Sequence, residues 1–549
     1  MSVIENPKAV LNQPPPLRGY NMYTTNVPLV EAVKREGAEW AHDRCVAAGD
    51  DLNGELDELG RLANENPPKL KTHDRYGNRI DEVEFHPAWH DLMRRAIASA
   101  AHALPWIESR PGAHTARAAM SLVPSGIEPG HGCPLSMTYA AVPVLRRQPE
   151  LADEWEPRIT SLEYDPRMMP ASEKRGAIVG MAMTEKQGGS DVRTNITRAR
   201  PLNGGGPGAE YELTGHKWFC SVPQSDAFLV LAQTDAGVSC FLLPRWTPDG
   251  ERNAFHIQRL KDKLGNRSNA SSEVEFDGAW ARLIGDEGRG VPTIIEMVNY
   301  TRLDCVLGST GLMRRAVAEA THHTAHRTAF GKLLIDQPLM QNVLADLCVE
   351  SEAATVTAMR LARACDQAPD DPQENAFKRI ALAVSKYWIS KSATWHVGEA
   401  LECFGGAGYV EESPMPRLYR EAPLNSIWEG SGNVNALDTL RAMVKTPESV
   451  AAFFGEVESA AGANAHLDDH VRRLKDELQD LDQIEYRARR IVEHMALALQ
   501  GSLLLRHSPP AVADAFCASR LGGEHGRALG TLPRGVDCEA IVERHRPHV

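Results

Sequence analysis

The sequence has no run of apolar residues long enough to cross a lipid bilayer. Its longest apolar-rich stretches, such as residues 495–505 (MALALQGSLLL), fall well short of the ~18 to 20 residues that a membrane helix needs. The first residues also lack the basic start and apolar block of a secretory signal. These absences predict a cytoplasmic protein with no membrane partner.

Cysteine pairs are missing as well. The ten cysteines follow no CxxC or other regular spacing, and Cys240, Cys348 and Cys403 stand in apolar surroundings. That pattern is typical of buried free thiols in a reducing compartment. The histidine cluster within 322–326 has no carboxylate or cysteine at the spacing of zinc ligands, so no metal site is predicted.

Positive charge is the third deficit. The formal net charge is −13, so the protein as a whole lacks the concentrated positive surface that phosphate binding needs. The composition therefore argues against nucleic acid as a general partner, although a local basic patch is compatible with it.

Nucleotide-binding signatures are absent too. No GxGxxG motif follows a strand, no GxxxxGK[ST] motif occurs, and strand-like and helix-like segments do not alternate as they do in doubly wound folds. A Rossmann domain or a P-loop is therefore not expected.

What is present is the composition of an ordinary globular protein, with 42% hydrophobic and 24% charged residues. A chain of 549 residues is too long for one core, and its length suggests roughly three to four domains. Helical periodicity gives way to short strands rich in β-branched and aromatic residues, and then returns in long segments. The predicted fold class is α+β and mainly α, in four parts: an N-terminal helical domain (1–180), a middle antiparallel β domain (181–287), a helical bundle (288–446) and an additional C-terminal helical domain (447–549).

One short stretch, 425–433 (NSIWEGSGN), places a single carboxylate, Glu429, between an indole and a flexible Gly-Ser-Gly run. A carboxylate against an apolar wall loses hydration and its pKa rises, which makes it a useful general base near neutral pH. On this stretch alone, a loop acid that caps the following helix is the more common explanation.

Four further motifs precede that stretch: MTEKQGGSDV (183–192), GHKWFCS (215–221), RTAFG (327–331) and GGAGY (405–409). In this order and spacing the chain resembles the acyl-CoA dehydrogenase family. Phrases such as RLKDKLGNRSNAS (259–271) and PRLYRE (416–421) narrow the resemblance to the AidB-like branch, which is associated with the adaptive response to DNA alkylation. The resemblance covers nearly the whole chain.

The resemblance implies three domains (helical, β, helical) with FAD bound between them, and an additional C-terminal helical domain. It implies a dehydrogenase in which a flavin takes a hydride from the β-carbon of an acyl-CoA while a glutamate removes an α-proton. Glu429 corresponds to that base. Some relatives place the base just before an arginine on an earlier helix, but here that pair reads Thr301-Arg302. Arg302 itself is expected to bind the substrate.

The same resemblance assigns the cofactor-binding residues. Met183, Thr184 and Ser190 correspond to the flavin-ring segment, for which a plain strand-to-loop turn is the alternative, and Ser221 to the hydroxyl near flavin N5. The stacking aromatic aligns with Phe219, whereas Trp218 is shifted by one, so either could contact the flavin. The remaining expected contacts are Arg327, Phe330, Gly405 and Gly406, at the FAD diphosphate and adenine of a neighbouring subunit in a homotetramer, together with Gly430 and Ser431.

In AidB-like proteins the last domain is linked to double-stranded DNA. Here residues 451–549 contain twelve Lys/Arg and fifteen Asp/Glu, a net charge of −3, whereas a dedicated DNA-binding domain is normally basic. The favoured alternative is a helix with i,i+4 ion pairs at a subunit interface. The cations expected to contact DNA, if it binds, are Arg441, Lys445, Arg472, Arg473, Lys475, Arg487, Arg489 and Arg490.

Two functions of different class therefore remain open. One is an FAD-dependent acyl-CoA dehydrogenase that acts on a short or branched acyl thioester with Glu429 as base. The other is a flavoprotein that mainly binds DNA and protects it from alkylation, with only residual dehydrogenase activity.

Overall fold

The computed structural model describes residue 8 and residues 10–50 and 54–548. Its N-terminal part is helical, as the periodicity predicts, and carries one β-hairpin (β1–β2) that the sequence pattern did not indicate. The elements are α1 (Val27–Arg35), α2 (His42–Ala48), α3 (Glu55–Glu65), β1 (Lys69–His73), β2 (Arg79–Glu84), α4 (Pro87–Ala98), α5 (Leu104–Ile107), α6 (Ala113–Ser125), α7 (Gly132–Leu145) and α8 (Pro149–Ile159).

The middle part is a seven-stranded sheet whose strands β6, β4, β5, β9 and β7 pair in a closed ring. Alternating side chains such as Tyr211 and Leu213 fill its interior. Most pairs are antiparallel, as predicted, but β3 and β4 each pair with β6 in parallel. The strands are β3 (Val179–Ala182), β4 (Arg198–Pro201), β5 (Glu210–Ser221), β6 (Ala227–Thr234), β7 (Gly237–Pro244), β8 (Phe255–Leu260) and β9 (Ser271–Ile284).

Three long helices form the centre of the bundle, close to the ranges 292–326, 337–368 and 374–403 that the helical periodicity predicts. Their buried faces share one apolar core with α6, α13 and the C-terminal helices. The elements are α9 (Gly290–His326), β10 (Thr328–Ala329), β11 (Lys332–Leu333), α10 (Pro338–Gln367), α11 (Pro372–Glu402), α12 (Met415–Glu421) and α13 (Gly432–Lys445).

In the C-terminal segment, the sequence pattern predicts one long charged helix plus a shorter one over 465 to about 521, and the structure divides this range into α15, α16 and α17. The helix is broken between α15 and α16, where Gln483 has a φ of 48°. Arg487 donates to the carbonyl of Glu477 in the last turn of α15 and to those of Asp480 and Asp482 at the break, which satisfies acceptors that the end of the helix leaves open. The helices are α14 (Glu448–Glu458), α15 (Ala465–Gln479), α16 (Ile484–His507), α17 (Pro510–Phe516) and α18 (Cys538–His545).

Buried ion pairs attach this segment to the bundle. Arg520 bonds to Asp346 and lies 2.8 Å from Glu350, both on α10, and Arg544 of α18 lies 3.0 Å from Glu352. Because these carboxylates are almost completely buried, loss of either arginine would leave a buried charge without a partner and would destabilise the protein. Within the described ranges, none of the helices combines the length and apolar character that crossing a bilayer requires.

Candidate active site

A cavity of about 1120 Å³ lies where the N-terminal helices, the sheet and the bundle meet. Its wall comes from α4, α6 and α7, from β5, from α9, and from the turn that precedes α13. Apolar side chains of the helices line one side, and Glu429 stands in the wall formed by the turn. Such a concave site with few polar groups is typical of small-molecule binding.

Glu429 lies in a strained turn that two buried cations hold in place. Its φ is 56°, a left-handed conformation that is uncommon for a residue with a side chain. Lys386 donates to the carbonyl of Trp428 at 2.7 Å and to the carbonyl of Gly430. Arg302 donates to the carbonyl of Glu429 itself, at 3.2 Å. Three consecutive carbonyls are thus bound to cations.

The direction of these carbonyls fixes the direction of the amides. In a trans peptide the N–H group points away from the preceding carbonyl. The N–H groups of residues 429–431 therefore point away from Lys386 and Arg302. All three residues line the cavity.

The carboxylate of Glu429 accepts a hydrogen bond of 2.7 Å from the hydroxyl of Thr301. Burial raises its pKa above the ordinary value. The Thr301 bond and the charges of Lys386 and Arg302 partly offset that rise, and Asp304 adds to it. The result is a carboxylate poised as a proton acceptor nearer to neutral pH.

Arg302, expected to bind substrate, borders the cavity but is mostly engaged elsewhere. It forms a 2.7 Å ion pair with Asp438, to which Arg379 also binds. Arg302 is 4% exposed, so little of its guanidinium group is free, and the structure shows it holding the turn around Glu429.

The 183–190 loop is anchored by an ion pair that the sequence analysis missed. Lys217 lies 2.7 Å from Glu185, and both side chains are completely buried. Glu185 also accepts the backbone N–H groups of Ile196 and Thr197. Burial acts to raise the pKa of Glu185, but the Lys217 ammonium, helped by these hydrogen bonds, holds it at about 2. A Cβ at Gly189 would lie 2.4 Å from the Thr184 hydroxyl, so the loop closes this tightly only with glycine there.

Trp218 and Phe219 occupy the same side of β5, which simple strand alternation does not predict. A β-bulge between Lys217 and Cys220 sets both aromatic residues opposite one residue of β9. The Lys261 ammonium lies 3.6 Å from the ring centre of Trp218 and 4.6 Å from that of Phe219. Only Phe219 of the two lines the cavity.

A polar cluster at one end of the cavity was also missed, although its residues lie in quoted motifs. Glu421 accepts from the backbone and side-chain amides of Asn266 at 2.6 and 2.8 Å, and burial raises its pKa to about 7. Lys263 donates to Ser271, which lies 3.2 Å from Ser221. Burial lowers the pKa of Lys263 to about 8.

The predicted site residues fall into two groups. Those that line the cavity are Glu429, Arg302, Met183, Thr184, Ser190, Phe219, Ser221, Gly430 and Ser431, and Arg441 lies there too. Arg327, Phe330, Gly405 and Gly406 lie away from it. Phe330 is 99% exposed. The ring of His323, just before the segment of Arg327 and Phe330, stacks on Phe404 at 4.2 Å, so this segment lies close to the one that carries Gly405 and Gly406.

Most cations proposed to contact DNA bind acids of the same chain. Arg473 lies 3.0 Å from Asp469 at i,i+4, and Arg489 donates to the hydroxyl of Tyr387. The other ion pairs are Arg472 with Asp469 and Asp476, Lys475 with Glu458, Arg487 with Glu477 and Asp480, Arg490 with Glu477, and Arg441 with Asp438. Lys445 is exposed on α13.

In the histidine cluster of α9, the rings of His322 and His326 lie 4.4 Å apart, and each ring also bonds to a backbone carbonyl: His322 to that of Pro15, and His326 to that of His322. In the part of the chain that the structure describes, no three His, Cys, Asp or Glu side chains are arranged to hold a metal ion.

Three family models match consecutive parts of this chain. They are the adaptive response protein AidB N-terminal domain (residues 12–166), the acyl-CoA dehydrogenase middle domain (180–279) and the acyl-CoA dehydrogenase C-terminal domain (288–444). The chain belongs to the acyl-CoA dehydrogenase family, a family of oxidoreductases whose typical cofactor is FAD. The expected family and fold class are thereby confirmed.

The chain is similar to the putative acyl-CoA dehydrogenase AidB of Escherichia coli, at 46% identity over 95% of each chain. It also resembles the solved structure of Caenorhabditis elegans ACDH-11 in complex with C11-CoA, with a TM-score of 0.85, 28% identity and 94% of each chain covered. An acyl-CoA dehydrogenase of Bacillus anthracis complexed with FAD has a TM-score of 0.63 and 17% identity over 92% of this chain and 86% of its own. This last similarity shows the fold alone.

Proposed function

We propose that this protein is an FAD-dependent acyl-CoA dehydrogenase in which Glu429 removes the α-proton of the substrate. The observation that carries the proposal is the position of Glu429, whose carboxylate stands in the cavity wall with a raised pKa and a fixed backbone. Family membership supplies the class of reaction, and the cavity supplies the proton acceptor that this reaction needs.

The residues around the cavity fit a bound flavin. The loop of Met183 and Thr184 is closed by Gly189 and pinned by a buried ion pair, so its backbone can approach a planar ring closely. Phe219 is 53% exposed beside the cavity and offers an aromatic face. We assign Met183, Thr184, Ser190, Phe219, Ser221, Gly430 and Ser431 to FAD binding, with Trp218 behind Phe219.

When bound, FAD supplies the hydride acceptor for the substrate β-carbon. The chain's own groups do the rest: the carboxylate of Glu429 takes the α-proton, and the electrons of the broken α-C–H bond form the new carbon–carbon double bond as the β-hydride leaves. The backbone N–H groups of 429–431 are available to the thioester carbonyl, which gains negative charge as the proton departs. Thr301 keeps the carboxylate oriented between turnovers.

The substrate in this proposal is an acyl-CoA, and a short or branched acyl group stays our prediction. The solved nematode relative is in complex with C11-CoA, so chain length is a necessary variable in the test. Cytoplasmic location also stays a prediction.

A homotetramer is part of the proposal because four predicted cofactor residues lie outside the cavity. An aromatic ring as exposed as Phe330 suggests a surface that another molecule covers. A Cβ at Gly405, whose φ is 60°, or at Gly406 would meet no atom within 4 Å, so a ligand could approach this backbone. We propose that Arg327, Phe330, Gly405 and Gly406 contact the FAD of a neighbouring subunit.

The deciding experiment is anaerobic mixing of the purified flavoprotein with acyl-CoAs of different length and branching while the flavin absorption is recorded. A substrate should bleach the flavin band, and Glu429→Gln should slow bleaching by roughly 10²- to 10⁴-fold. Flavin content should be unchanged in the variant. A Glu429→Gln protein that is reduced as fast as the wild type would exclude Glu429 as the base.

Double-stranded DNA binding with protection against alkylation is the second proposal, and the match to the AidB N-terminal domain favours it. The pairing of the C-terminal cations with acids speaks against it. The test is titration of labelled duplex DNA at several salt concentrations, because phosphate contacts give a steep salt dependence. Absence of binding at low salt would exclude this function.

A further inference from the structure

Lys386 occupies an unusual place for a lysine. It lies within α11, is 1% exposed and has no part in the proton transfer proposed above. Burying an ammonium group without compensation is costly, and burial here lowers the pKa of Lys386 to about 8. An apolar side chain would fill this part of the bundle at a lower cost in free energy, so the presence of a lysine needs a specific explanation.

The contacts of Lys386 provide it. Its ammonium group binds the carbonyl oxygens of Trp428 and Gly430, which are the residues on either side of the proposed base. These two carbonyls are 42 and 44 residues away in the chain. The strained φ of Glu429 needs such external contacts, because a turn of this kind is stable only when its surroundings fix it.

We propose that Lys386 is a positioning residue for the base: by binding both flanking carbonyls, it fixes the turn that directs the carboxylate of Glu429 into the cavity. Arg302, bound to the carbonyl between them, completes the clamp. The inference rests on the proposed function, because it assigns Lys386 a role in the reaction of that site.

The positive charge of Lys386 has a second consequence. It favours the ionised form of Glu429, the form that accepts a proton. Removing the charge should raise the pKa of Glu429 further. The other groups that act on the carboxylate of Glu429 are Thr301, Arg302 and Asp304. The charge of Glu429 acts in turn on Cys133 and Cys305. The groups that act on Lys386, besides Glu429, are Cys305, Arg302 and Lys391.

The test is Lys386→Met, a substitution that keeps most of the length of the unbranched side chain and removes its charge and hydrogen bonds. The ionisation of Glu429 would be followed without substrate, as the pH-dependent infrared carboxylate difference between each protein and its Glu429→Gln form. We expect the midpoint to move upward by about one pH unit. The rate of flavin reduction below that midpoint should fall about tenfold and recover in part at higher pH.

Lys174→Met is the matched control. Lys174 is also a buried lysine, paired with Asp226 at 2.7 Å, but it lies outside the cavity lining. This variant should lose stability without moving the carboxylate midpoint. If Lys386→Met and Lys174→Met lose similar stability and both keep the wild-type midpoint and pH profile, Lys386 is structural only and the inference is overturned.

Lys386→Gln provides a second route if the methionine variant does not fold. Its amide can donate to one of the two carbonyls but carries no charge, so the same upward movement of the midpoint is expected. A wild-type midpoint in Lys386→Gln would overturn the inference. Failure of the proposed function looks different, because then no acyl-CoA would reduce the wild-type flavin although the infrared midpoint still moved.

Discussion

Two ion pairs of similar length show how the cavity region differs from the C-terminal helices. Glu185 and Lys217 lie 2.7 Å apart beneath the cavity and are completely buried, whereas Asp469 and Arg473 lie 3.0 Å apart on α15 with about half of each side chain exposed. In the first pair the charges have no access to water, so each depends on the other. In the second pair, water and salt screen both charges.

The difference teaches that burial, not charge density, decides which charged residues shape this molecule. The C-terminal segment is rich in charged side chains, yet several of its cations, such as Arg472, Arg473 and Lys475, pair with exposed acids. The cavity region has fewer charged side chains, but these hold in place the 183–190 loop, the turn around Glu429 and the carboxylate of Glu429 itself. Four substitutions test this contrast, in order of decreasing expected effect.

Replacing Lys217 by alanine should have the largest effect. It leaves Glu185 buried without its counter-ion, which typically costs about 3–5 kcal/mol. Flavin content should fall as well, because Glu185 anchors the 183–190 loop. The measurements are denaturant unfolding and the flavin-to-protein ratio. Lys186→Ala is the control, since Lys186 is exposed and 4.0 Å from its acid. Equal stability of the two variants would contradict the contrast.

Arg520→Met asks whether burial matters equally within the C-terminal segment. It removes the partner of two buried carboxylates, Asp346 and Glu350. We expect a loss of about 3 kcal/mol, at the low end for a buried pair, because Asp346 also accepts the backbone N–H of Gly530. Unfolding curves and faster proteolysis of the segment after α14 would show it. A neutral result would mean that the C-terminal segment is held without these charges.

Thr301→Val should change the pH dependence of catalysis more than stability. Burial holds the pKa of Glu429 above its ordinary value and the Thr301 hydrogen bond lowers it, so loss of that bond raises the pKa. Only the ionised carboxylate accepts a proton, so the rate of flavin reduction rises with pH and levels off above this pKa. In the variant the rise should begin at higher pH, with rates on the acidic side lower by up to about tenfold. An unchanged pH profile would show that the hydroxyl does not act on the base.

Arg473→Ala should have the smallest effect. The ion pair with Asp469 is exposed, and many such pairs contribute nothing measurable. The unfolding midpoint should match the wild type at low and high salt, and so should that of the double variant Arg473→Ala/Asp469→Ala. A loss of stability at low salt that disappears at high salt would show that exposed charges do hold this segment.

The elements of the fold were largely predictable because their signals are local. Helical periodicity located α9, α10 and α11, and the motif around Glu429 pointed to the residue that the structure sets in the cavity wall. The β-bulge that turns Trp218 and Phe219 to one side depends on pairing with β9, which no local pattern encodes. The role of Lys386 could not be predicted for the same reason, since its partners lie on a turn that is distant in the sequence.

Arg314 joins segments from opposite ends of the chain. It lies on α9, the helix that also carries Thr301 and Arg302, and donates to the carbonyls of His545 and Thr25 at 2.7 and 2.8 Å. On the ribosome, Thr25 and α9 emerge long before His545. The helix that supports the base therefore gains its full set of contacts only when α18 has been synthesised. Premature termination in α18 would leave this buried guanidinium group half satisfied, far from the cavity and yet on the same helix.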